Sequence, residues 1–263
     1  MRRLRGRPPP PLRVVCKGSK PGSDRTIAEP EGSGDERILT PYFRGLVSAS
    51  SLSYAGEVGR KALHLLALSI PFGAWAVGMP TALYLLAPAA LVAGAADVTR
   101  AHSESVNAVI RGIFGALMRA EELPAPRTGV QFNGATCVLV GAAMMVALFP
   151  LRIAVPVLVM AMLADAAAAL VGRRWGRHTW GALSATMEGT TAFVVTGLGV
   201  MAFFSSVALG PAAGGVLVGA GIEALPLPVN DNIRVPVAAA ATVVVGEALV
   251  LGRSVSLLPV LSL

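Results

Sequence analysis

Asp165 is a carboxylate set inside an apolar stretch, Met162-Leu163-Ala164-Asp165-Ala166-Ala167-Ala168-Ala169. Its helical neighbours four and seven residues away are Ala161, Ala169 and Gly172, so another helix or a ligand can come close to it. An ionisable group at mid-bilayer costs about 2.5 to 3.5 kcal/mol on insertion, so each one asks for a reason. Directly afterwards comes Gly172-Arg173-Arg174-Trp175-Gly176-Arg177-His178. Three guanidiniums and an imidazole on a Gly-hinged turn can neutralise a polyphosphate through forked donors. Positive charge that orients a membrane helix is the plainer account of the same arginines.

Further acids and bases recur at the ends of other apolar segments. Glu188-Gly189-Thr190-Thr191 opens one of them, where a carboxylate favours the positive helix end and Gly189 lets a ligand approach the backbone. Gly215, Gly219 and Glu223 repeat every four residues, a small-residue groove ending in an acid. Asn230-Asp231-Asn232 follows; short carboxylates and amides are good oxygen ligands for magnesium, and equally good turn formers. Ahead of the first apolar segment, Glu57, Arg60, Lys61 and His64 stand at spacings of three, four and seven, which puts them on one helix face. Snorkelling flanks with a local ion pair are the competing account there. Carboxylates that hold magnesium beside cations that hold phosphate oxygens are the parts phosphoryl transfer requires. On that reading Asp165, Glu188 and Asp231 are the catalytic acids, and Asn232 and Glu223 complete the metal set. Asp165 is the first choice to accept a proton from an attacking hydroxyl. Glu247, toward the far end of the last apolar segment, has no place in this scheme beyond an interfacial or helix-packing role.

The elements that must position these groups are membrane helices. The chain is 54% hydrophobic and 14% charged, and a run of about 20 apolar residues spans the hydrocarbon layer as a helix. Seven segments are separable: 62–79, 82–96, 132–149, 153–171, 192–209, 212–225 and 233–251, the sixth being the weakest, short and Gly-rich. Between the second and third, Ile110, Ile113, Phe114, Leu117 and Met118 are spaced as a short helix lying along the interface, with Arg111, Arg119, Glu121, Glu122 and Arg127 beside them. Along this path twenty of the twenty-two Lys and Arg residues fall on one side, with only Arg152 and Arg253 opposite. That bias marks the cytoplasmic face. The expected fold is therefore all-α: a polytopic transmembrane bundle of about seven helices, N-terminus cytoplasmic, with the acid-base groups at its inner edge.

Residues 1–50 form a separate block rich in Arg, Pro, Gly and Ser that cannot build a core, and are expected as a disordered cytosolic tail ahead of a membrane domain, 51–263. No apolar signal core with a small-residue cleavage site is present, and the prolines and acids argue against an amphipathic transit helix. Net charge is +7, but twelve of the basic residues lie in the first 61 positions and the rest edge apolar segments, so nucleic acid is not an expected partner. Cys16 and Cys137 are isolated and suggest neither a disulfide framework nor a metal site.

Taken in order, Glu57-Val58-Gly59-Arg60-Lys61-Ala62-Leu63-His64, Asp165 through His178, Glu188-Gly189-Thr190, Glu223-Ala224-Leu225-Pro226 and Asn230-Asp231-Asn232 resemble the polyprenol kinase family, which includes dolichol kinase, phytol kinase and CTP-dependent diacylglycerol kinase. Leu117-Met118-Arg119-Ala120-Glu121-Glu122 and Asn133-Gly134-Ala135-Thr136 resemble it too. The likeness covers roughly residues 57–245. It implies an integral-membrane kinase that moves the terminal phosphate of a nucleoside triphosphate, typically CTP, to a lipid alcohol, with magnesium as cofactor. It also implies that Lys61, Arg60, Arg173, Arg174, Arg177, His178, Gly172 and Gly189 bind nucleotide, with Glu57, His64 and Asn133 in support. A bacterial inner membrane is the expected host, an organellar membrane the alternative, and a homodimer is left open. Two positions depart from the family: Ser184, Ala185 and Thr186 stand where a Lys is common, and Asn230-Asp231-Asn232 where Asp-Asp-Asn is frequent. No Walker loop or kinase Gly-rich loop is present. A cytidylyltransferase making a CDP-lipid and a membrane transporter are the rival readings.

Overall fold

A computed structural model describes residues 59, 62, 65–114, 130–181, 183 and 185–262, all within one compact unit, Ala49–Leu263. The tail, Glu57, Arg60, Lys61, His64 and the loop residues 115–129 lie outside the described residues. Among those described, the protein is all-helical: α1 (Ser69–Val77), α2 (Thr81–His102), α3 (Glu104–Phe114), α4 (Gly134–Leu148), α5 (Leu151–Trp175), α6 (Met187–Phe203), α7 (Leu209–Ala224) and α8 (Asp231–Leu251), then a short 3-10 turn, Pro259–Ser262.

Local chemistry explains the boundaries. Asn133, Thr186 and Asn230 each stand just before a helix in extended backbone, and their side chains accept the N–H of Thr136, Gly189 and Asn232, satisfying first-turn donors of α4, α6 and α8. Glu188 and Asp231 add negative charge to the first turns of α6 and α8, and Arg173 and Arg174 add positive charge to the last turn of α5. At the end of α8, Gly252 takes the left-handed conformation, φ +63°, that other residues adopt at a cost.

Three helices are long and apolar enough to cross a membrane: α2, α5 and α8. The expected segments 132–149, 192–209 and 212–225 appear instead as shorter apolar helices, α4, α6 and α7. At 15 residues α4 is only about 22 Å long, less than a hydrocarbon layer of about 30 Å. The first expected helix is interrupted by a turn at Ala67–Leu68, so that α1 has nine residues. Likewise 204–208 form a turn rather than the end of a helix, and α7 begins at Leu209, with Pro211 tolerated in its first turn. Of the residues expected in an interfacial helix, Ile110, Ile113 and Phe114 belong to α3, which breaks from α2 at extended Ser103, and Leu117 and Met118 lie outside the described residues.

α5 is the centre of the unit. Ile153–Met162 are buried without interruption, as befits a helix apolar all round. Around it α6, α7, α8, α4 and α1 pack, and α2 lies against α4. Small residues set the closest approaches: Gly197 faces Val216 between α6 and α7, and Gly215 faces Ala239 between α7 and α8. On the outside Leu66, Trp75, Tyr84, Leu91, Phe203 and Leu249 are exposed, an apolar surface suited to lipid.

Candidate functional site

Each helix end that meets a neighbour assigns a group to one end of the unit or the other. Asp97 of α2 reaches Asn133 at the start of α4, Gly172 of α5 abuts Gly189 of α6, and Arg234 of α8 reaches the last turn of α7. The described candidate site residues therefore lie toward one end, while Arg152, Ser206 and Glu247 meet at the other.

Within the first end, Asp165, Glu223, Asp231 and Asn232 line a single small cavity of about 20 Å³, room for about one water, walled otherwise by apolar residues such as Val138, Leu158 and Pro236. Four residues expected to hold a cation thus come together from α5, α7 and α8. Their depth differs from expectation. The Asn232 carbonyl lies against Gly141, halfway along α4, and a Cβ there would collide with it. Asp165 lies ten residues, about 15 Å of helix, before the end of α5 at Trp175. The cavity is recessed because the α7–α8 hairpin turns short of the rim.

Glu188 is not among the residues lining that cavity. Gly189 packs on the Ala168 carbonyl and on Gly172, one to two turns beyond Asp165, and carries Glu188 toward the rim. There its Oε1 stands 2.8 Å from His178 Nδ1 and its Oε2 accepts the His178 backbone N–H at 3.3 Å. The imidazole, and then the backbone N–H groups around it, lower the Glu188 carboxyl to about 2. Gly172 and Gly189 serve the α5–α6 crossing, since a Cβ on either would press on Thr186 Oγ1. The Gly189 N–H is already taken by Thr186 at 3.1 Å. Arg173, Arg174 and Arg177 are exposed around Trp175, and Trp180 Nε1 donates to Thr190 Oγ1 at 3.0 Å, fastening the turn to α6.

Two groups escaped the sequence reading. Arg234 donates from Nε at 2.8 Å and from Nη2 to Asp231 Oδ1, and from Nη1 to the carbonyls of Ile222 and Leu225, both at 2.7 Å. The Asp-x-x-Arg spacing on one helix face was its available signal. Asp97, 1% exposed, accepts the Asn133 N–H and Nδ2 at 2.9 Å each and the Thr136 hydroxyl at 2.7 Å, with Arg100 Nη2 3.4 Å from Oδ1. Asn133 is therefore a clamp residue between α2 and α4. Nothing local to Asp97 distinguishes it from a loop acid.

Among the described residues no three His, Cys, Asp or Glu side chains converge closely enough to hold a metal ion by themselves. Magnesium keeps several waters and takes one or two carboxylates together with substrate phosphates. The hard oxygen donors Asp165, Asp231 and Asn232 on one cavity wall fit that requirement, and Glu188, committed to His178, does not. Compared with protein-family models, curated proteins and solved structures, the chain matches none.

Proposed function

We propose that the protein is an integral-membrane phosphotransferase moving the terminal phosphate of a nucleoside triphosphate, CTP by family resemblance, to the hydroxyl of a lipid alcohol. The observation that carries this reading is the meeting of Asp165, Asp231, Asn232 and Glu223 in one cavity below an exposed arginine turn. In this reading α1, α2 and α4 to α8 make seven crossings, the recessed cavity opens to the cytoplasm, and the lipid enters between apolar helix faces.

Arg173, Arg174 and Arg177 bind the phosphates as they enter, where forked donors match phosphate oxygens. Glu188 and His178 hold the turn that carries those arginines. Asp165 and Asp231, with Asn232 and Glu223 beside them, would hold the cation. Magnesium, when bound, neutralises charge on the transferring phosphoryl group. Asp165 takes the hydroxyl proton as the new oxygen–phosphorus bond forms and CDP departs.

The test is to incubate the purified chain with labelled CTP or ATP, magnesium and a panel of prenols, polyprenols, phytol and diacylglycerol. CDP with a lipid phosphate is expected; pyrophosphate with a CDP-lipid would replace the reading by a cytidylyltransferase. Asp165→Asn is expected to abolish transfer while the protein still inserts in membranes, and retained turnover would remove Asp165 from the mechanism. The depth of the cavity favours a second reading, a transporter, whose sites lie near the bilayer midplane. Substrate flux through reconstituted vesicles without nucleotide would establish that one instead.

A further inference from the structure

Arg234 is 12% exposed at its side chain and uses one planar guanidinium for two jobs. Two of its nitrogens converge on a single oxygen, Asp231 Oδ1, while the third holds the carbonyls of Ile222 and Leu225 at the C-terminal end of α7. The fork is rigid, so fixing it at one end fixes it at the other. Asp231 is thereby held by Oδ1 alone. Among the described residues nothing donates to Oδ2, and the Asp231 side chain, 45% exposed, borders the cavity. Glu223 sits in the same last turn of α7 that Arg234 holds, so this one side chain also sets the spacing of Glu223 and Asp231 across the cavity.

We propose that Arg234 is a positioning residue which pins Asp231 Oδ1 and the end of α7, presenting Asp231 Oδ2 to the cavity as a ligand for a divalent cation. This rests on reading the cavity as the cation site of the proposed phosphotransferase. Carboxylates that bind metals are themselves oriented by outer hydrogen bonds, and removing such a partner typically weakens metal affinity 10- to 100-fold, about the loss expected here. Charge alone acts in the opposite direction: a guanidinium beside the carboxylate repels the cation, and its removal would tighten binding.

That opposition makes the experiment decisive. Manganese is titrated into the purified full-length chain, without nucleotide, and free Mn²⁺ is read by electron paramagnetic resonance for the wild type, Arg234→Gln, Arg234→Lys, Asp231→Asn and the double variant Asp231→Asn/Arg234→Gln. Both single Arg234 variants are expected to weaken binding about 10- to 100-fold, and Arg234→Gln is expected to add less than about twofold once Asp231 is Asn. Arg234→Lys keeps the charge and the stem, so it reports on geometry if Arg234→Gln fails to fold, as judged by circular dichroism. Unchanged or tighter binding in Arg234→Lys or a folded Arg234→Gln overturns the proposal. So does an equal loss from Arg234→Gln in the Asp231→Asn background, or a wild type that binds no Mn²⁺. Phosphate transfer is assayed on the same preparations. Transfer by the wild type with Arg234-independent metal binding removes this inference alone, whereas absence of transfer removes the function on which it rests.

Discussion

Arg152 and Glu247 are 95 residues apart in sequence and meet in a two-pronged ion pair, Nη1 to Oε1 at 3.0 Å and Nη2 to Oε2 at 2.7 Å. The Glu247 side chain is wholly buried and Arg152 is partly open to solvent. Ser206 closes the arrangement by donating to the Arg152 carbonyl at 2.9 Å, so the start of α5, the α6–α7 turn and the end of α8 are tied together. This assigns Glu247 a structural place at the end of the unit opposite the cavity. Replacing Arg152 with Met leaves a buried carboxylate without its partner. The expected loss is about 3 kcal/mol, the low end of the range for breaking a buried pair, because Arg152 still touches solvent. Thermal unfolding in detergent measures it, and the Arg152→Met/Glu247→Met double variant is expected to recover most of the loss.

Asp97 is expected to behave as a clamp and not as a catalyst. Asp97→Ala removes the acceptor of the Asn133 amide groups and the Thr136 hydroxyl and the carboxylate beside Arg100, which keeps its bond to the Gln131 carbonyl, and about 3 kcal/mol of stability should be lost. Cation affinity in the Asp165 cavity is expected to stay within about twofold of the wild type as long as the variant is folded, since distant sites are nearly independent. Manganese titration checks the second outcome.

Glu188 lies ahead of the apolar part of α6, and its carboxyl is held at about 2 instead of its ordinary 4.5, first by His178. A depressed carboxyl pKa means that the folded form prefers the ion. Its contribution to the turn is complete above about 4.5 and fades as pH falls toward about 2. In His178→Ala the Glu188 titration is expected to move up toward 4.5. The carboxyl carbon shift of labelled glutamate, followed from pH 6 downward, reads this directly; an unmoved midpoint would mean that the backbone donors alone hold the ion.

Gly141 is the position where α4 and α8 come closest, with the Asn232 carbonyl in the space a side chain would need. Gly141→Ala must push the first turn of α8 away from α4. Overpacking of this kind costs typically about 1 to 3 kcal/mol. Because the displaced turn carries Asp231 and Asn232, metal affinity is expected to fall with stability, whereas Gly199→Ala, which faces open space on α6, is expected to leave both unchanged. Paired thermal and manganese titrations separate the two outcomes.

The helices were legible because their signals are local. Apolar runs such as those of α2, α5 and α8 need only neighbours in sequence to act, and so do the caps Asn133, Thr186 and Gly252 that the structure shows at helix ends. Their exact lengths were less so, since the turn at 204–208 and the break before α1 interrupt apolar sequence that hydropathy alone reads as continuous. Asp165, Asp231, Asn232 and Glu223 were identifiable as a group because charge inside apolar sequence is costly and therefore conspicuous.

Sequence alone determined that the described residues are helical and that three of their helices are long and apolar enough to cross a membrane. Those properties follow from composition and a 3.6-residue period. Tertiary structure decided which charges meet. A helix that slides by one turn against its neighbour moves every contact by about 5.4 Å without altering its own periodicity. That sliding gave Glu188 to His178 and not to Asp165, set Arg152 against Glu247, sank the α8 start to the level of Gly141, and let Arg234 bridge Asp231 to the end of α7.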